Sequence, residues 1–270
     1  MQNISADAYL EPFPHLIFHN FYDDKELRLI WDELNFYTEP DKLFDVEDYQ
    51  GVVGYTKAKA IHLDSVYIGK NRKLSNILNV SRKVFDKQIL EPFAKLHDSC
   101  TFANLSNYDV TKVRYYHNGD YYKPHTDTFY EFLAFSYFYK EPKRFKGGNL
   151  IFPKYNYEFN CEHNSLIVMP AWVEHGVSEV NISDSDYYDG YGRYAITHFF
   201  GCKEPKRFKG GNLIFPKYNY EFICEHNSLI VMPAWVEHGV SEVSIKDSDY
   251  YDGYGRYAIT HFFGCKEKQS

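Results

Sequence analysis

The chain predicts an α+β protein in which two helical segments precede many short strands that close into a β-sandwich or barrel. Three observations carry this. From about residue 101 to 200 the sequence breaks into short apolar or alternating stretches separated by Gly, Asn, Asp and Pro, the pattern of successive strands and turns. Two earlier segments place apolar residues at helical spacing. With 44% apolar and 19% aromatic residues among 270, there is material for a sizeable core.

In chain order, residues 12–21 read as a strand entering a turn. Asp23 and Asp24 then cap a helix that carries Leu27, Ile30, Trp31 and Leu34 on one side. Residues 39–60 mix charges with Gly51 and Gly54 and read as a loop, either a lid or a plain surface connection. From 71 to 97 a second helical region buries Leu74, Ile77, Leu78, Val84 and Phe85 and is interrupted at Pro92. Strand patterns follow at 101–104, 108–117, 121–127, 132–140, 148–152, 156–161, 165–169, 175–180 and 193–200.

The candidate chemistry starts between Val113 and Asp127. Asn118-Gly119 signals a turn between aromatic strands, so His125 and Asp127 fall near the end of a hairpin arm. Residues i and i+2 of a strand share a face, and an imidazole beside a carboxylate supplies two ligands of a 2-His-1-carboxylate facial triad. His-x-Asp alone arises often by chance, as a surface turn with two polar residues. Downstream, an apolar strand and the turn at Ala171-Trp172-Val173 lead to His175, the natural third ligand. Further on, Arg193, Ala195 and Thr197 share one face of a strand. An arginine aimed into a barrel needs an anion; a dicarboxylate with its far end on Arg193 and Thr197 and its near end on the metal meets that need. His198 faces the other way as a packing residue. Arg114 reads as a surface charge with a substrate contact as its alternative, and Trp172 as a core residue with the substrate mouth as its alternative.

The order His125-x-Asp127, His175, Arg193 resembles that of the Fe(II)/2-oxoglutarate-dependent dioxygenases, specifically their prolyl 4-hydroxylase-like branch. Tyr116-His117-Asn118-Gly119 to Tyr122-x-Pro124-His125-x-Asp127 is similar to the plant, algal and viral prolyl 4-hydroxylases. Arg193-Tyr194-Ala195-Ile196-Thr197 resembles the matching strand of the animal oxygen-sensing prolyl hydroxylases, and Gly147-Gly148-Asn149-Leu150-Ile151-Phe152 a further strand of the family. The resemblance implies a double-stranded β-helix, a jelly-roll or cupin-like barrel buttressed by the N-terminal helices. It implies His125, Asp127 and His175 as Fe(II) ligands, and Tyr116, Tyr137, Arg193 and Thr197 as contacts of the cosubstrate 2-oxoglutarate, with O2 as oxidant and room for ascorbate as a reductant. The implied reaction hydroxylates a C–H bond, most naturally of a peptidyl proline, while 2-oxoglutarate becomes succinate and CO2. A free amino acid, a peptidyl lysine or another small molecule is the alternative substrate; a non-catalytic β-helix binding protein, inactivated by duplication, is the alternative class. Asp127 argues against the halogenating relatives, which lack the carboxylate. Phe199-Phe200-Gly201 lacks the second arginine of the nucleic-acid demethylating branch.

Composition limits the partners. A formal charge of −7 gives no footprint for non-specific nucleic-acid binding. No stretch of eighteen apolar residues and no basic-then-apolar start is present, so the expectation is a cytoplasmic protein acting on a peptide or protein substrate without a membrane partner. The five cysteines show no zinc or disulfide spacing, and a reducing compartment suits Fe(II).

Residues 141–203 recur as 204–266, differing only at Asn160/Ile223, Asn181/Ser244 and Ser183/Lys246. Such identity marks a recent duplication and not a repeat architecture. The unit begins mid-barrel and carries the distal histidine and the arginine, but neither His125 nor Asp127. Residues 1–203 are therefore read as the dioxygenase domain and 204–270 as an appended partial β-helix. Connectivity favours the first copy in the barrel, because using the second would loop out 63 residues; His238 and Arg256 are then the surplus equivalents of His175 and Arg193. Ile223 suits a covered or non-barrel position, and unpaired edges in the second copy invite association or strand swapping.

Overall fold

The computed structural model describes residues 5–38, 44–45, 55–127, 130–201, 208–224, 229–251 and 256–263. It divides into two compact units, Met1–Lys203 and Glu204–Ser270.

The first unit opens with a hairpin of β1 (Ser5–Tyr9) and β2 (His15–His19). Helix α1 (Asp24–Tyr37) follows, and Asp23 and Glu26 form a capping box that satisfies its first amides. Its buried Glu33 accepts from the Tyr37 hydroxyl at 2.6 Å, from Ser75 Oγ at 2.9 Å and from the Ile77 amide at 2.7 Å. This fully bonded carboxylate ties α1 to the helix Asn76–Val80 and lets the helical layer pack as one block.

Strands β3 (Phe44–Asp45), β4 (Thr56–Lys57) and β5 (Lys59–His62) come next. The loop expected over 39–60 therefore falls partly outside the described residues, and its described part is strand. The region expected to be helical from 71 to 97 is broken into 3-10 turns at Gly69–Leu74 and Ser81–Phe85 and the helices Asn76–Val80 and Lys87–Leu96. Pro92 lies inside the last helix and does not end it. The strand expected at 101–104 is instead part of a 3-10 helix, Asp98–Leu105, whose period of three buries Cys100 and Ala103 together.

The remaining strands are β6 (Tyr108–Tyr116), β7 (Tyr121–His125), β8 (Phe132–Phe138), β9 (Lys146–Gly147), β10 (Leu150–Phe152), β11 (Tyr157–Phe159), β12 (Ser165–Pro170), β13 (His175–Val177), β14 (Val180–Asn181) and β15 (Arg193–Gly201). An eight-stranded sheet runs β1-β2-β12-β8-β15-β6-β5-β3, and a five-stranded sheet runs β11-β10-β13-β7-β4. These antiparallel sheets form the double-stranded β-helix and enclose a pocket lined from both. Every residue of β8, β12 and β15 is buried, which explains why β8 and β12 read as near-continuous apolar runs. No helix among the described residues is long and apolar enough to cross a membrane.

The second unit is smaller. β16 (Phe208–Gly210) pairs with β20 (Val243–Ile245), and β17 (Leu213–Phe215) lies between β18 (Tyr220–Phe222) and β19 (Gly239–Val240). Residues 229–233 and 256–263 have no ladder. Ile223, expected in a covered or non-barrel position, lies in this second unit and is exposed.

Candidate functional site

His125 ends β7 and His175 begins β13, and the two are register partners across the smaller sheet. Between His175 and Val177 the register shifts, a bulge that re-aims the strand beside its neighbour. Gly176 permits it: a Cβ there would lie 2.7 Å from the Tyr122 carbonyl oxygen and 3.0 Å from the Pro124 nitrogen. Asp127, two residues beyond His125, is held by its amide donating to the Ala171 carbonyl at 3.1 Å.

Each histidine is oriented through Nδ1. His125 Nδ1 lies 3.0 Å from the Lys123 carbonyl and His175 Nδ1 lies 2.9 Å from that of Val173, so both rings carry the proton on Nδ1 and present an Nε2 lone pair. Both lone pairs face Asp127 Oδ2, at 3.7 Å from His125 and 3.5 Å from His175. Oδ2 is buried and has no hydrogen-bond partner. The three ligand atoms lie within 4.8 Å of one another. Burial pushes the His175 pKa down to about 3 and lowers that of His125, while burial raises that of Asp127. Two imidazoles that present Nε2 and a buried carboxylate oxygen without a hydrogen-bond partner form a donor set that a divalent cation fits, and its charge would reverse the penalty on the buried carboxylate. Tyr122 stacks on the His125 ring at 3.9 Å and Phe135 meets the His175 ring edge-on at 5.3 Å, which fixes both ring planes.

The other end of the pocket is built by the large sheet. Arg193 is opposite Tyr116 in register, and its guanidinium lies 4.6 Å over the Tyr116 ring and 4.9 Å over that of Tyr137. It is buried, and its Nε and Nη1 have no partner; Nη2 reaches only Cys161 Sγ, at 3.8 Å. Gly148 makes room for it, since a Cβ there would lie 2.5 Å from Arg193 Cδ. The Tyr137 hydroxyl is likewise buried and unpartnered. Thr197 is buried on the same face of β15 as Arg193. A cluster of unsatisfied donors around a guanidinium is an anion site awaiting a carboxylate.

All seven residues nominated from sequence, His125, Asp127, His175, Tyr116, Tyr137, Arg193 and Thr197, line this one pocket. The pocket also contains residues the sequence reading passed over or misplaced. Arg114, expected at the surface, is buried in it, because Lys112, Arg114 and Tyr116 alternate onto the inward face of β6. Alternation from Tyr116 was the available signal. Tyr122 had none beyond strand membership, and neither had Cys161, which lies against Arg193 outside the pocket lining. Trp172 is 46% exposed and so is not core, while His198 packs as expected, buried with Nδ1 3.1 Å from Thr111 Oγ1. His238 and Arg256 belong to the second unit, where His238 is exposed.

Residues 111–201 match the family model described as 2OG-Fe(II) oxygenase superfamily. No curated protein matches the sequence. Among solved structures, a prolyl-4-hydroxylase from Pseudomonas putida is 16% identical, with 70% of this chain and 93% of that chain covered at a TM-score of 0.46. An oxidoreductase of the 2OG-Fe(II) oxygenase family from Burkholderia pseudomallei is 14% identical over 69% of this chain and 85% of its own, at 0.48. The viral collagen prolyl hydroxylase of Paramecium Bursaria Chlorella virus-1, in complex with 2OG, is 11% identical over 69% and 94%, at 0.42.

Proposed function

We propose, from the match of residues 111–201 to the 2OG-Fe(II) oxygenase superfamily model, that this chain is a hydroxylase whose first substrate class is a prolyl residue in a peptide or protein. The family's reaction uses Fe(II), 2-oxoglutarate and O2. In our reading His125, Asp127 and His175 hold the metal, residues 1–203 form the catalytic domain, and 204–270 are a surplus copy of its second half. One observation carries the assignment: three lone pairs converge at one end of a pocket whose other end holds a buried arginine without a carboxylate.

When bound, the metal and cosubstrate supply the oxidising equivalent that hydroxylates a C–H bond as 2-oxoglutarate becomes succinate and CO2. The protein's share is positional. Lys123 and Val173 carbonyls fix the histidine tautomers, so each Nε2 remains a ligand and not a proton donor. Arg193, between the Tyr116 and Tyr137 rings, would hold a carboxylate of 2-oxoglutarate, with the Tyr137 hydroxyl and Thr197 as further hydrogen-bond partners. Phe135, Leu150, Val177 and Phe199 exclude water from the pocket. Cys161 at the Arg193 guanidinium stays a neutral thiol, its pKa raised by burial, and suits a reducing, cytoplasmic setting.

A second reading, hydroxylation of a free amino acid or other small acid, is favoured by the buried cation Arg114 beside the metal ligands. Anaerobic addition of Fe(II) and 2-oxoglutarate tests the common core of both: a weak metal-to-ligand charge-transfer band is expected, and folded protein without it would remove the enzyme assignment. The domain assignment predicts that a chain lacking 204–266 still develops the band.

A further inference from the structure

Arg114 is 4% exposed, its Nε has no hydrogen-bond partner, and the Asp127 carboxylate, which acts on it electrostatically, forms no salt bridge with it. It lines the pocket with the three proposed ligands. Its guanidinium lies 5.0 Å over the Tyr122 ring, and Tyr122 in turn stacks on His125. A cation–π contact offsets only part of the cost of burying an unpaired charge. On the neighbouring strands the register partners of Arg114 are Ala60 and Ala195, two of the smallest side chains, which leave space on either flank. Lys112, one pleat further along the same face, adds a second cation with its Nζ 4.7 Å over the Phe199 ring.

The charge of the loaded site sharpens the point. Asp127 and the two carboxylates of 2-oxoglutarate bring three negative charges, and Fe(II) and Arg193 bring three positive ones. Arg114, with Lys112 beyond it on the same face, is left over. Two buried guanidiniums flank the pocket, and the cosubstrate satisfies one of them.

We propose that Arg114 binds a carboxylate of the substrate, so that the reacting carbon belongs to a molecule or residue carrying an acid group close by. This rests on the dioxygenase reading above and narrows it: a neutral interior peptide segment would leave Arg114 unmatched. The carboxylate has two possible sources, the α-carboxylate of a free amino acid and the side chain of an acidic residue next to the target.

The test uses the full chain loaded anaerobically with Fe(II) and 2-oxoglutarate, reading shifts of the charge-transfer band as probes are titrated. The probes are L-proline and L-lysine against their carboxamides, and acetyl-Pro-Glu-amide against acetyl-Pro-Gln-amide. At least one acid should bind about tenfold or more tightly than its neutral partner, the difference a charge-assisted hydrogen-bond pair makes. The pair that shows the preference identifies the source. Arg114→Gln should erase the preference while the band from 2-oxoglutarate remains, and Arg114→Lys should restore part of it. No acid preference in the wild type, or a preference that survives Arg114→Gln, overturns the proposal. So does loss of the band in Arg114→Gln, which would make 2-oxoglutarate itself the anion on Arg114. Absence of the band from the wild type would instead fault the dioxygenase reading.

Discussion

Residues 141–203 and 204–266 are nearly the same sequence and differ in structure where the first copy depends on residues before it. Features internal to the repeat survive in both. Leu150 pairs with Phe159 as Leu213 pairs with Phe222, and Ile151 pairs with Gly176 as Ile214 pairs with Gly239. His175 Nδ1 bonds the Val173 carbonyl as His238 Nδ1 bonds that of Val236, and Arg256 Cδ crosses Gly211 as Arg193 Cδ crosses Gly148. The long strands do not survive. β12 is clamped between β2 and β8, and β15 between β6 and β8, all four contacts made with strands that precede the repeat. In the second copy the same residues have no ladder: Leu166 is 0% exposed where Leu229 is 83%, and Phe199 is 3% where Phe262 is 88%. Strand propensity is thus fit to a half-built sheet, and an identical sequence without the sheet does not become a strand.

Paired substitutions, one in each copy, can break this contrast. Arg193→Ala should weaken 2-oxoglutarate binding by about 2–5 kcal/mol, roughly 30- to 4,000-fold, because the far carboxylate loses its partner in a buried site. Arg256→Ala should leave the apparent affinity unchanged; equal losses from both would show that the copies share the site. Leu166→Ala should lower stability to urea by roughly 3 kcal/mol through a cavity between β2 and β8. The exposed Leu229→Ala should stay within about 0.5 kcal/mol of the parent.

A smaller difference concerns pH. Burial holds the His198 pKa down at about 4, against 6.5 for a free histidine. The folded chain keeps the ring neutral while the unfolded chain takes up a proton, so this stability is complete above about pH 6.5. It is lost as pH falls from there through about 4, by roughly 3 kcal/mol in total. His198→Asn should flatten the urea-midpoint profile across that window, whereas His261→Asn, at the exposed equivalent position, should reproduce the parent profile.

The site was legible because its residues sit in local signals: His125 and Asp127 one pleat apart, His175 after a strand and turn, Arg193 and Thr197 on one strand face. Alternation alone then places the inward side chains of β15. Arg114 was misread because a single arginine in a polar-flanked strand looks solvated until Tyr116 is known to face inward; the face of a strand is fixed only by its partners. The helical layer was legible at α1, whose capping box and apolar stripe are both local. It was not legible at 101–104, where four residues of mixed character can be strand or 3-10 helix and burial of Cys100 and Ala103 against the fold decides. Pro92 shows the same limit, since packing of Ile89, Phe93 and Ala94 outweighs one missing hydrogen bond.

The most direct test of the account uses His175→Ala and His238→Ala in the full chain, each titrated anaerobically with Fe(II) and 2-oxoglutarate. The account predicts no charge-transfer band and no succinate on admitting air for His175→Ala, and a band and turnover equal to the parent for His238→Ala. A band that persists in His175→Ala and vanishes in His238→Ala would place the site on the second copy and contradict it.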